Sequence, residues 1–412
     1  MPEFLTLLAP DDARNLMFES INLHHVISQT VEAVSAAGRV TAVGVYAPHP
    51  LPAFPRSTVD GFAVVARDTF GTSESMPGYL NIVGEVPMGA APSFSVQTGQ
   101  CALIHTGGML PAGTDAIVML EYTQVVRPGE VEIQRAVANG ENILRLGEDV
   151  TENQLVIPKG VRIRAAEIGG LMALGITSVQ VIRRVRVALI SSGDEVIEPH
   201  IFPQPGQVRD INSYTLAALI SKAGGEPIFY GIVHDSFEEL KDISMRALNE
   251  TDIVIITAGS SASIRDLTAG VIATLGKPGV LVHGINTKPG KPTILGVCDG
   301  KAVIGLPGNP VSALVNGYLF VVPLIEKLLG IIDRIPKPSV KATLTVNLPS
   351  QTGREDWQPV KLIAKESRWL AEPVFGKSNL IFTLASADGL IKIHADANGI
   401  SAGEVVDVYL MD

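Results

Sequence analysis

Lys288-Pro-Gly-Lys-Pro292 and Gly305-Leu-Pro-Gly-Asn-Pro310 are the loop segments of one stretch that contains four prolines and five glycines. Proline fixes φ and lacks a backbone donor, whereas glycine tolerates conformations that other residues avoid, so neither segment can form a helix. Residues 301–306 lie between the loops and predict a buried strand, and residues 311–329 predict a long apolar helix. The stretch therefore predicts a rigid double loop whose second half leads into a helix N-terminus.

Lys288 and Lys291 of the first loop are candidate anion ligands. Loop glycines, ammonium groups and the first-turn N–H groups of a helix together form typical anion sites, and we expect those N–H groups to face the loop. The alternative is a pair of tight turns with solvated lysines, which an isolated segment of this kind would favour. The position of this segment after several strand–helix units favours the anion site.

Three strand–helix units precede the double loop. Strands are predicted at 185–191, 226–233 and 252–257, and helices at 212–223, 237–249 and 267–275. This alternation predicts right-handed crossovers and a mostly parallel sheet that is covered by helices on both sides. Ligands of such sheets bind outside the carboxyl ends of the strands. The loops that leave these strands should therefore gather at one edge.

Acidic residues follow each of the three strands: Asp194 and Glu195 the first, Asp235 the second and Asp266 the third. Carboxylates that face a lysine loop suit Mg²⁺ that bridges to a substrate phosphate. Taken singly, each acid could instead cap a helix or lie in its first turn. Their shared edge favours a site. The chain has no P-loop or dinucleotide-binding fingerprint.

The regions on either side of the α/β units have a different pattern of predicted elements. Residues 16–37 have apolar positions at helical spacing and predict one or two helices that end at Gly38, followed by a proline-rich connector at 48–55. Short glycine-bounded strands are predicted at 78–86, 101–105, 116–120 and 130–135, and a helix at 165–174. Alternating segments at 340–348, 357–363, 368–373, 389–394 and 404–409 predict a final small β-barrel.

Composition limits the possible roles of the chain. Its 412 residues predict two to four domains. A net charge of -10 argues against general binding to nucleic acid or a membrane surface, so any positive site must be local. Two cysteines form no disulfide framework and suit a reducing cytoplasm. We expect no signal peptide and no membrane span.

The predicted architecture is α/β plus β. It has an N-terminal region (1–182) in which a β domain of about 56–138 is inserted on a helical stalk. A central doubly wound, mostly parallel α/β domain (183–330) follows, and the C-terminal β-barrel (331–412) ends the chain.

Six motifs in this order resemble the molybdopterin molybdenumtransferase family, MoeA of bacteria, to which the E domain of gephyrin is similar. They are S-x-x-D-G-[YF]-A at 57–63, T-G-x-x-x-P-x-G at 106–113, G-E-N-I-L-R-L-G-E-D at 140–149, S-x-G-D-E at 191–195, K-P-G-K-P at 288–292 and G-L-P-G-N-P at 305–310. The resemblance covers the whole chain. It implies the molybdenum cofactor biosynthesis fold for the central domain.

The resemblance also implies an activity. The enzyme would insert molybdate into adenylylated molybdopterin and release AMP with the help of Mg²⁺, held by Glu195, Asp235 and Asp266. Lys288 and Lys291 would capture molybdate, and sulfur ligands would come from the pterin. Further implied substrate contacts are Ser192, Gly193, Asp194, Gly259, Ser260, Pro289, Gly290, Pro307, Gly308, Asn309 and Pro310.

The resemblance implies a homodimer in which the β domain of one subunit faces the α/β domain of the other. Asp60, with a catalytic role, and Thr106, a substrate contact, would then reach the partner's site. The molybdopterin adenylyltransferase is a further implied partner.

The chain departs from the family pattern after the third strand. Relatives commonly have S-G-G-V-S-x-G-x-x-D there, whereas this chain has Ser260 and Ile264 in place of two glycines, and Arg265 adds a charge. Each glycine could allow a positive φ or a close phosphate approach. Two alternatives therefore stay open: a diverged paralogue that acts on a related pterin nucleotide or on tungstate, and a non-catalytic pterin-binding or scaffold protein.

Overall fold

The computed structural model describes residues 7–22, 27–258, 262–332 and 339–411, with side chains omitted for 262–266. Three successive parts of the chain carry separate cores. They are an N-terminal region with an inserted sheet, a central α/β sheet and a C-terminal barrel.

Two α-helices and three two-stranded ribbons build the described part of the N-terminal stalk. Its first elements are α1 (Pro10–Ser20), β1 (Ser28–Glu32), β2 (Val45–Tyr46) and β3 (Arg56–Ser57). After the inserted sheet described next, β1 pairs with Ser178–Ile182, β2 with Leu155–Ile157 and β3 with Ile143–Leu144, each antiparallel. The ribbons enclose a core of small and branched residues around Leu171 and Val181.

The helix predicted over 16–37 is wrong for most of its length. The observed helix begins at Pro10, where proline suits the first helical position and Asp11 and Asp12 complement the helix dipole, and it ends at Ser20. Ser28–Glu32 is a strand because its backbone pairs with Ser178–Ile182, a contact that local spacing does not encode. Residues 23–26 of the prediction lie outside the described residues.

The inserted β domain is a six-stranded sheet. Its strands are β4 (Gly61–Val64), β5 (Gly78–Glu85), β6 (Gln100–Ile104), β7 (Ala116–Met119), β8 (Thr123–Arg127) and β9 (Glu130–Ile133). Their order is β7-β4-β6-β5-β9-β8, with only β5 and β6 parallel. Alternate side chains build a core on each face, so the predicted strands of this domain are confirmed.

The stalk resumes after the insertion and leads into the central sheet. Its remaining elements are β10 (Ile143–Leu144), β11 (Leu155–Ile157), α2 (Ala165–Ala173) and β12 (Ser178–Ile182). The helix predicted at 165–174 is thus confirmed.

The central domain is the doubly wound sheet that the sequence predicts. Its strands are β13 (Val185–Ser192), β14 (Val196–Ile197), β15 (Val208–Arg209), β16 (Gly225–Val233), β17 (Ile253–Ala258), β18 (Pro278–His283), β19 (Thr287–Lys288), β20 (Ile294–Cys298) and β21 (Lys301–Pro307). Its helices are α3 (Asn212–Ala223), α4 (Phe237–Glu250), α5 (Ala262–Leu275), α6 (Pro310–Asn316) and α7 (Val322–Leu328). Helix α5 begins at Ala262, five residues before the predicted start at 267, so the start of this helix was predicted wrongly.

The order of the central sheet is β16-β13-β17-β21-β20-β18. Four strands are parallel, and β20 is antiparallel to both of its neighbours, so β18 again runs with the parallel set. Successive residues of β13 alternate between two cores, one beneath α3, α6 and α7 and one beneath α4 and α5. The carboxyl ends of five strands therefore meet at one edge.

Helices α6 and α7 form one continuous helix that is joined by a π turn at Gly317–Val321. Within the described part of the chain, Pro310–Leu328 is the one helix with the length and apolar composition of a membrane span, and 61% of its apolar stretch is buried inside the structure. Burial of this kind is typical of a core helix, so the feature is weak support for a span.

The C-terminal domain is a closed barrel. Its elements are β22 (Ser339–Leu344), β23 (Leu348–Pro349), β24 (Glu355–Lys365), β25 (Arg368–Pro373), α8 (Phe382–Ala385), β26 (Gly389–Ile393), β27 (Gly399–Ile400) and β28 (Val405–Leu410). Strands β24-β25-β22-β28-β26 close because β26 also pairs with β24. The predicted barrel and the predicted fold class are confirmed.

Candidate functional site

The lysine loop is held at the sheet edge by backbone pairing with the barrel. Strand β19, which ends at Lys288, lies parallel to the start of β24, with Thr287 opposite Glu355. The Thr287 hydroxyl donates to the Glu355 carbonyl at 3.1 Å. The Thr293 hydroxyl donates to the Gly290 carbonyl at 2.8 Å and closes the loop, while both lysine side chains remain exposed. The loop is therefore anchored at both ends, and its ammonium groups are accessible to a ligand.

A cavity of about 940 Å³, here called the lysine cleft, lies between the sheet edge and the barrel. One wall is the lysine loop together with Pro307, Asn309 and Ser312, and the other comes from the start of β24 and the loop 374–379. Four basic side chains line the cleft against one carboxylate; they are Lys288, Lys291, Arg354 and Lys377, with Asp356 as the acid. This surface is locally positive in a chain of net charge -10.

Asp356 organises the basic side chains of the cleft. Its Oδ1 accepts from Arg354 Nε at 2.9 Å, and its Oδ2 accepts from Ser350 Oγ at 2.9 Å and lies 3.9 Å from Lys288 Nζ. The Asp356 side chain is only 9% exposed, whereas that of Lys288 is 60% exposed. Arg354 is thus firmly paired, and Lys288 keeps most of its donor capacity for a ligand.

A second cavity of about 570 Å³, here called the strand-end cavity, adjoins the lysine cleft. It is lined by the ends of β13 and β17, by Glu195 and by the loop 308–310, and it shares Asn309 and Asn379 with the lysine cleft. Glu195, Arg209 and Asp210 are its charged residues, and Asp210 Oδ1 is already bound to the Ser213 N–H at 3.1 Å. The expected gathering of loops at one edge is confirmed.

The predicted acids reach this edge to different extents. Glu195 and Ser192 line the strand-end cavity, and Ser192 Oγ donates to Asp235 Oδ1 at 2.7 Å, so Asp235 lies directly behind the lining. Asp194 lines neither cavity and contacts exposed His234, whose Nδ1 is 3.0 Å from Asp194 Oδ1. Gly193 also lines neither cavity.

Part of the predicted site cannot be placed. Gly259 and Ser260 lie outside the described residues, and for Asp266 the structure gives only its place in the first turns of α5. Among the side chains that are described, no group of three or more His, Cys, Asp or Glu residues has the proximity of a metal site. The predicted Mg²⁺ ligands Glu195, Asp235 and Asp266 therefore remain a prediction.

The second loop binds the barrel as well as the sheet. The Gly308 carbonyl accepts from Asn212 Nδ2 at 2.9 Å, and Asn309 Nδ2 donates to Ser378 Oγ at 3.2 Å. The Val311 N–H, in the first helical turn, donates to the Ser378 carbonyl at 3.0 Å. The expectation that the first-turn N–H groups face the lysine loop is therefore wrong for Val311, because its N–H donates to a carbonyl of the barrel instead.

Asp60 and Thr106 form a pair in the inserted β domain and line neither cavity of this chain. The Thr106 N–H and hydroxyl donate to Asp60 Oδ1 at 2.7 and 3.1 Å. These bonds, first the backbone one, hold the pKa of Asp60 below its usual value, with a smaller contribution from nearby His105. Asp60 is therefore a charged, exposed carboxylate.

Local sequence patterns did not predict the barrel side of the cleft. Arg354, Asp356, Lys377, Ser378 and Asn379 all line it. These residues belong to a domain with its own core, and no local pattern links them to the lysine loop. A basic residue next to a strand start, at Arg354, is the one signal that the chain offered.

The fold and the cleft define a three-part α/β protein with a locally positive groove between its central sheet and its barrel. Three family models match the chain in order. They are "MoeA N-terminal region (domain I and II)" at 8–175, "Probable molybdopterin binding domain" at 188–327 and "MoeA C-terminal region (domain IV)" at 341–411.

Relatives and solved structures agree with these matches. The chain is 31% identical to the molybdopterin molybdenumtransferase of Haemophilus influenzae, with 98% of each chain covered. It is 32% identical to the enzyme of that name from Nostoc sp., covering 92% of this chain and 83% of the relative. A crystal structure of the molybdopterin biosynthesis MoeA protein from Pyrococcus horikoshii matches with a TM-score of 0.82 and 37% identity, over 99% of this chain and 100% of that chain.

The chain belongs to the MoeA family, and it is an enzyme of molybdenum cofactor biosynthesis. The resemblance found in its motifs is thereby confirmed.

Proposed function

We propose that the protein inserts molybdate into adenylylated molybdopterin and releases AMP in a Mg²⁺-dependent reaction. The observation that carries this proposal is the adjacency of two unlike cavities, the positive lysine cleft and the strand-end cavity, which share Asn309 and Asn379. A small metal oxyanion and a phosphorylated pterin could lie side by side there. The family name of the relatives agrees with both substrates.

The lysine cleft is the place for molybdate. The oxyanion is a small dianion, and Lys288 and Lys291 present ammonium groups from one rigid loop, with Arg354 and Lys377 opposite. Ser312 and Ser378 also line the cleft and carry hydroxyl groups that can donate to oxyanion oxygens. These groups would hold the oxyanion beside the pterin's sulfur atoms, which supply the ligands that the two buried cysteines of the chain do not.

The strand-end cavity is the place for the pyrophosphate and its cation. Its donor set consists of hard oxygens, which suit Mg²⁺: Glu195 at the lining and Asp235 one hydrogen bond behind it. Asn212 adds a buried Oδ1 that accepts no hydrogen bond from the described residues. Mg²⁺ would neutralise charge on the phosphoanhydride that is broken. Glu195, Asp235 and Asp266 would hold it, while Ser192 orients Asp235.

The proposed active form is a homodimer in the cytoplasm. Apolar side chains of the stalk are exposed in the single chain, among them Ile27, Val34, Val43 and Tyr46. These side chains are candidate contacts of the proposed association surface. In the dimer, Asp60 and Thr106 of one subunit would approach the partner's cavities, and the molybdopterin adenylyltransferase would deliver the substrate.

The test is a single-turnover assay. Purified protein is mixed with adenylylated molybdopterin, Mg²⁺ and molybdate, and both AMP and pterin-bound molybdenum are measured. We expect AMP release that requires molybdate and Mg²⁺. Release of no AMP, with the pterin nucleotide still bound, would support the non-catalytic binding role, and AMP release with tungstate alone would support the diverged paralogue.

A further inference from the structure

Asn316 is a fully buried polar residue in a mostly apolar helix. It ends α6 and is 0% exposed, and its helical neighbours Val315 and Phe320 are equally buried in the apolar interior. Its Nδ2 donates to Ser312 O at 2.7 Å, within its own helix, and to Pro289 O at 3.3 Å, in the lysine loop. Its Oδ1 accepts no hydrogen bond from the described residues.

This arrangement needs an explanation, because a buried amide with an unpartnered acceptor is unfavourable compared with an apolar side chain of similar size. The bond to Ser312 O stays within one helix and joins no second element. The bond to Pro289 is different because it joins the helix to the peptide between Lys288 and Lys291. The Asn316 amide therefore links the helix to the lysine loop.

Gly290 shows how closely the loop and the amide approach each other. Its φ is +106°, and a Cβ at this position would overlap the Asn316 side-chain amide. The lysine loop thus packs directly against Asn316, and the residue at the point of contact is a glycine. The lysines on either side of this point are exposed to the cleft.

The platform beneath the loop is rigid. Gly317, the next residue, lies so close to α3 that a Cβ would be 2.7 Å from a Leu219 methyl group. The π turn begins at the same residue, and π turns commonly occur at functional sites. One turn before Asn316, Ser312 lines the lysine cleft. The helix therefore presents a hydroxyl to the cleft and an amide to the loop from one fixed position.

We infer that Asn316 is a positioning residue for oxyanion capture. Through its contacts with Pro289 and Gly290, Asn316 fixes the positions of Lys288 and Lys291 relative to the cleft. It does not contact the substrate itself. This inference rests on the proposed molybdate function of the lysine loop.

The test uses Asn316→Leu, which removes the amide at similar volume, and Asn316→Ser as a second variant that is smaller and easier to fold. The control is Leu324→Ala, which weakens the same continuous helix at a buried position away from the loop. Folding is checked by thermal unfolding. Amide hydrogen exchange over 287–293, calorimetric binding of molybdate, and the KM for molybdate together with kcat are then measured.

We expect both Asn316 variants to exchange faster over 287–293 and to bind molybdate about tenfold more weakly, with KM raised and kcat at saturating molybdate little changed. Leu324→Ala should lower stability without either change. Unaltered exchange over 287–293 would overturn the inference, as would faster exchange with undiminished molybdate affinity. A wild-type protein that binds no molybdate would refute the proposed function, and the exchange result would still decide whether Asn316 positions the loop.

Discussion

Lys288 Nζ lies 3.9 Å from Asp356 Oδ2, so the lysine loop of the α/β domain and strand β24 of the barrel meet in an ion pair. The lysine end is largely exposed and the aspartate end is nearly buried. An exposed lysine in such a pair contributes little to stability, and it can exchange its partner for an incoming anion. Asp356 therefore holds the Lys288 side chain at the cleft without cancelling the cleft's net positive charge.

Replacement of this lysine tests its role in oxyanion capture. We expect Lys288→Ala to weaken molybdate binding about tenfold or more, because a charge-assisted contact is lost while the backbone of β19 remains paired. The measurement is turnover at limiting molybdate together with calorimetric binding. Lys341→Ala is the matched control, since Lys341 is an exposed barrel lysine that pairs with Asp407. Equal turnover of wild type and Lys288→Ala at limiting molybdate would exclude the role.

Loss of the buried partner should instead affect stability. Asp356→Ala deprives Arg354 Nε and Ser350 Oγ of their acceptor, and we expect the free energy of unfolding to fall by about 1–3 kcal/mol. Denaturant unfolding measures this change. Asp407→Ala, which removes an exposed carboxylate from the same barrel, should change stability by less than about 0.5 kcal/mol. Similar losses of unfolding free energy in Asp356→Ala and Asp407→Ala would show that the hydrogen bonds of Asp356 do not stabilise the barrel.

Gly290 is expected to be intolerant of a side chain. In Gly290→Ala the new Cβ meets the Asn316 amide, so the loop must move and molybdate affinity should fall about tenfold or more. Gly231→Ala is a matched control because Gly231 also has a positive φ, +88°, but no atom lies within 4 Å of its added Cβ. We expect Gly231→Ala to lower the Tm while molybdate binding is kept. A Gly290→Ala protein with normal affinity would show that the contact is unimportant.

Glu195 and Asp194 are adjacent acids with different positions, and this difference allows a paired test of the cation site. Glu195 lines the strand-end cavity, whereas Asp194 faces solvent beside His234. We expect Glu195→Gln to raise the Mg²⁺ concentration needed for half-maximal AMP release about tenfold, because one hard oxygen charge is lost. Asp194→Asn should leave the Mg²⁺ requirement unchanged. Identical Mg²⁺ curves for wild type and Glu195→Gln would refute the assignment.

The pKa of Asp60 should depend on Thr106. Thr106→Val removes the hydroxyl bond but keeps the stronger backbone one, so the pKa of Asp60 should rise only part of the way to its usual value. A group with a lowered pKa stabilises the fold above its unfolded pKa, and that contribution is lost as pH falls through the folded pKa. The variant should thus lose it at a higher pH than the wild type. NMR titration of the carboxyl carbon measures the shift, with Thr114→Val, elsewhere in the same domain, as the control.

Local sequence patterns predicted much of the central domain. Helix α3 has the predicted bounds, and the three strands predicted before the double loop differ from prediction by at most one residue at each end. The placement of Ser192 and Glu195 at the strand-end cavity follows from the rule that parallel strands share a carboxyl edge. The helix predicted over 16–37 is wrong at Ser28–Glu32 because that segment takes its conformation from a partner strand far along the chain.

The sequence by itself determined the alternation of strands and helices, the double loop with its two lysines, and a final barrel, because these depend on periodicity and on the φ limits of proline and glycine. Only the tertiary structure decided that Asp356, Arg354 and Ser378 complete the lysine cleft. It also decided that Asn316 supports the loop from below. The physical reason is that such contacts arise when separately folded layers dock, and docking is set by the shape of whole surfaces rather than by any local pattern.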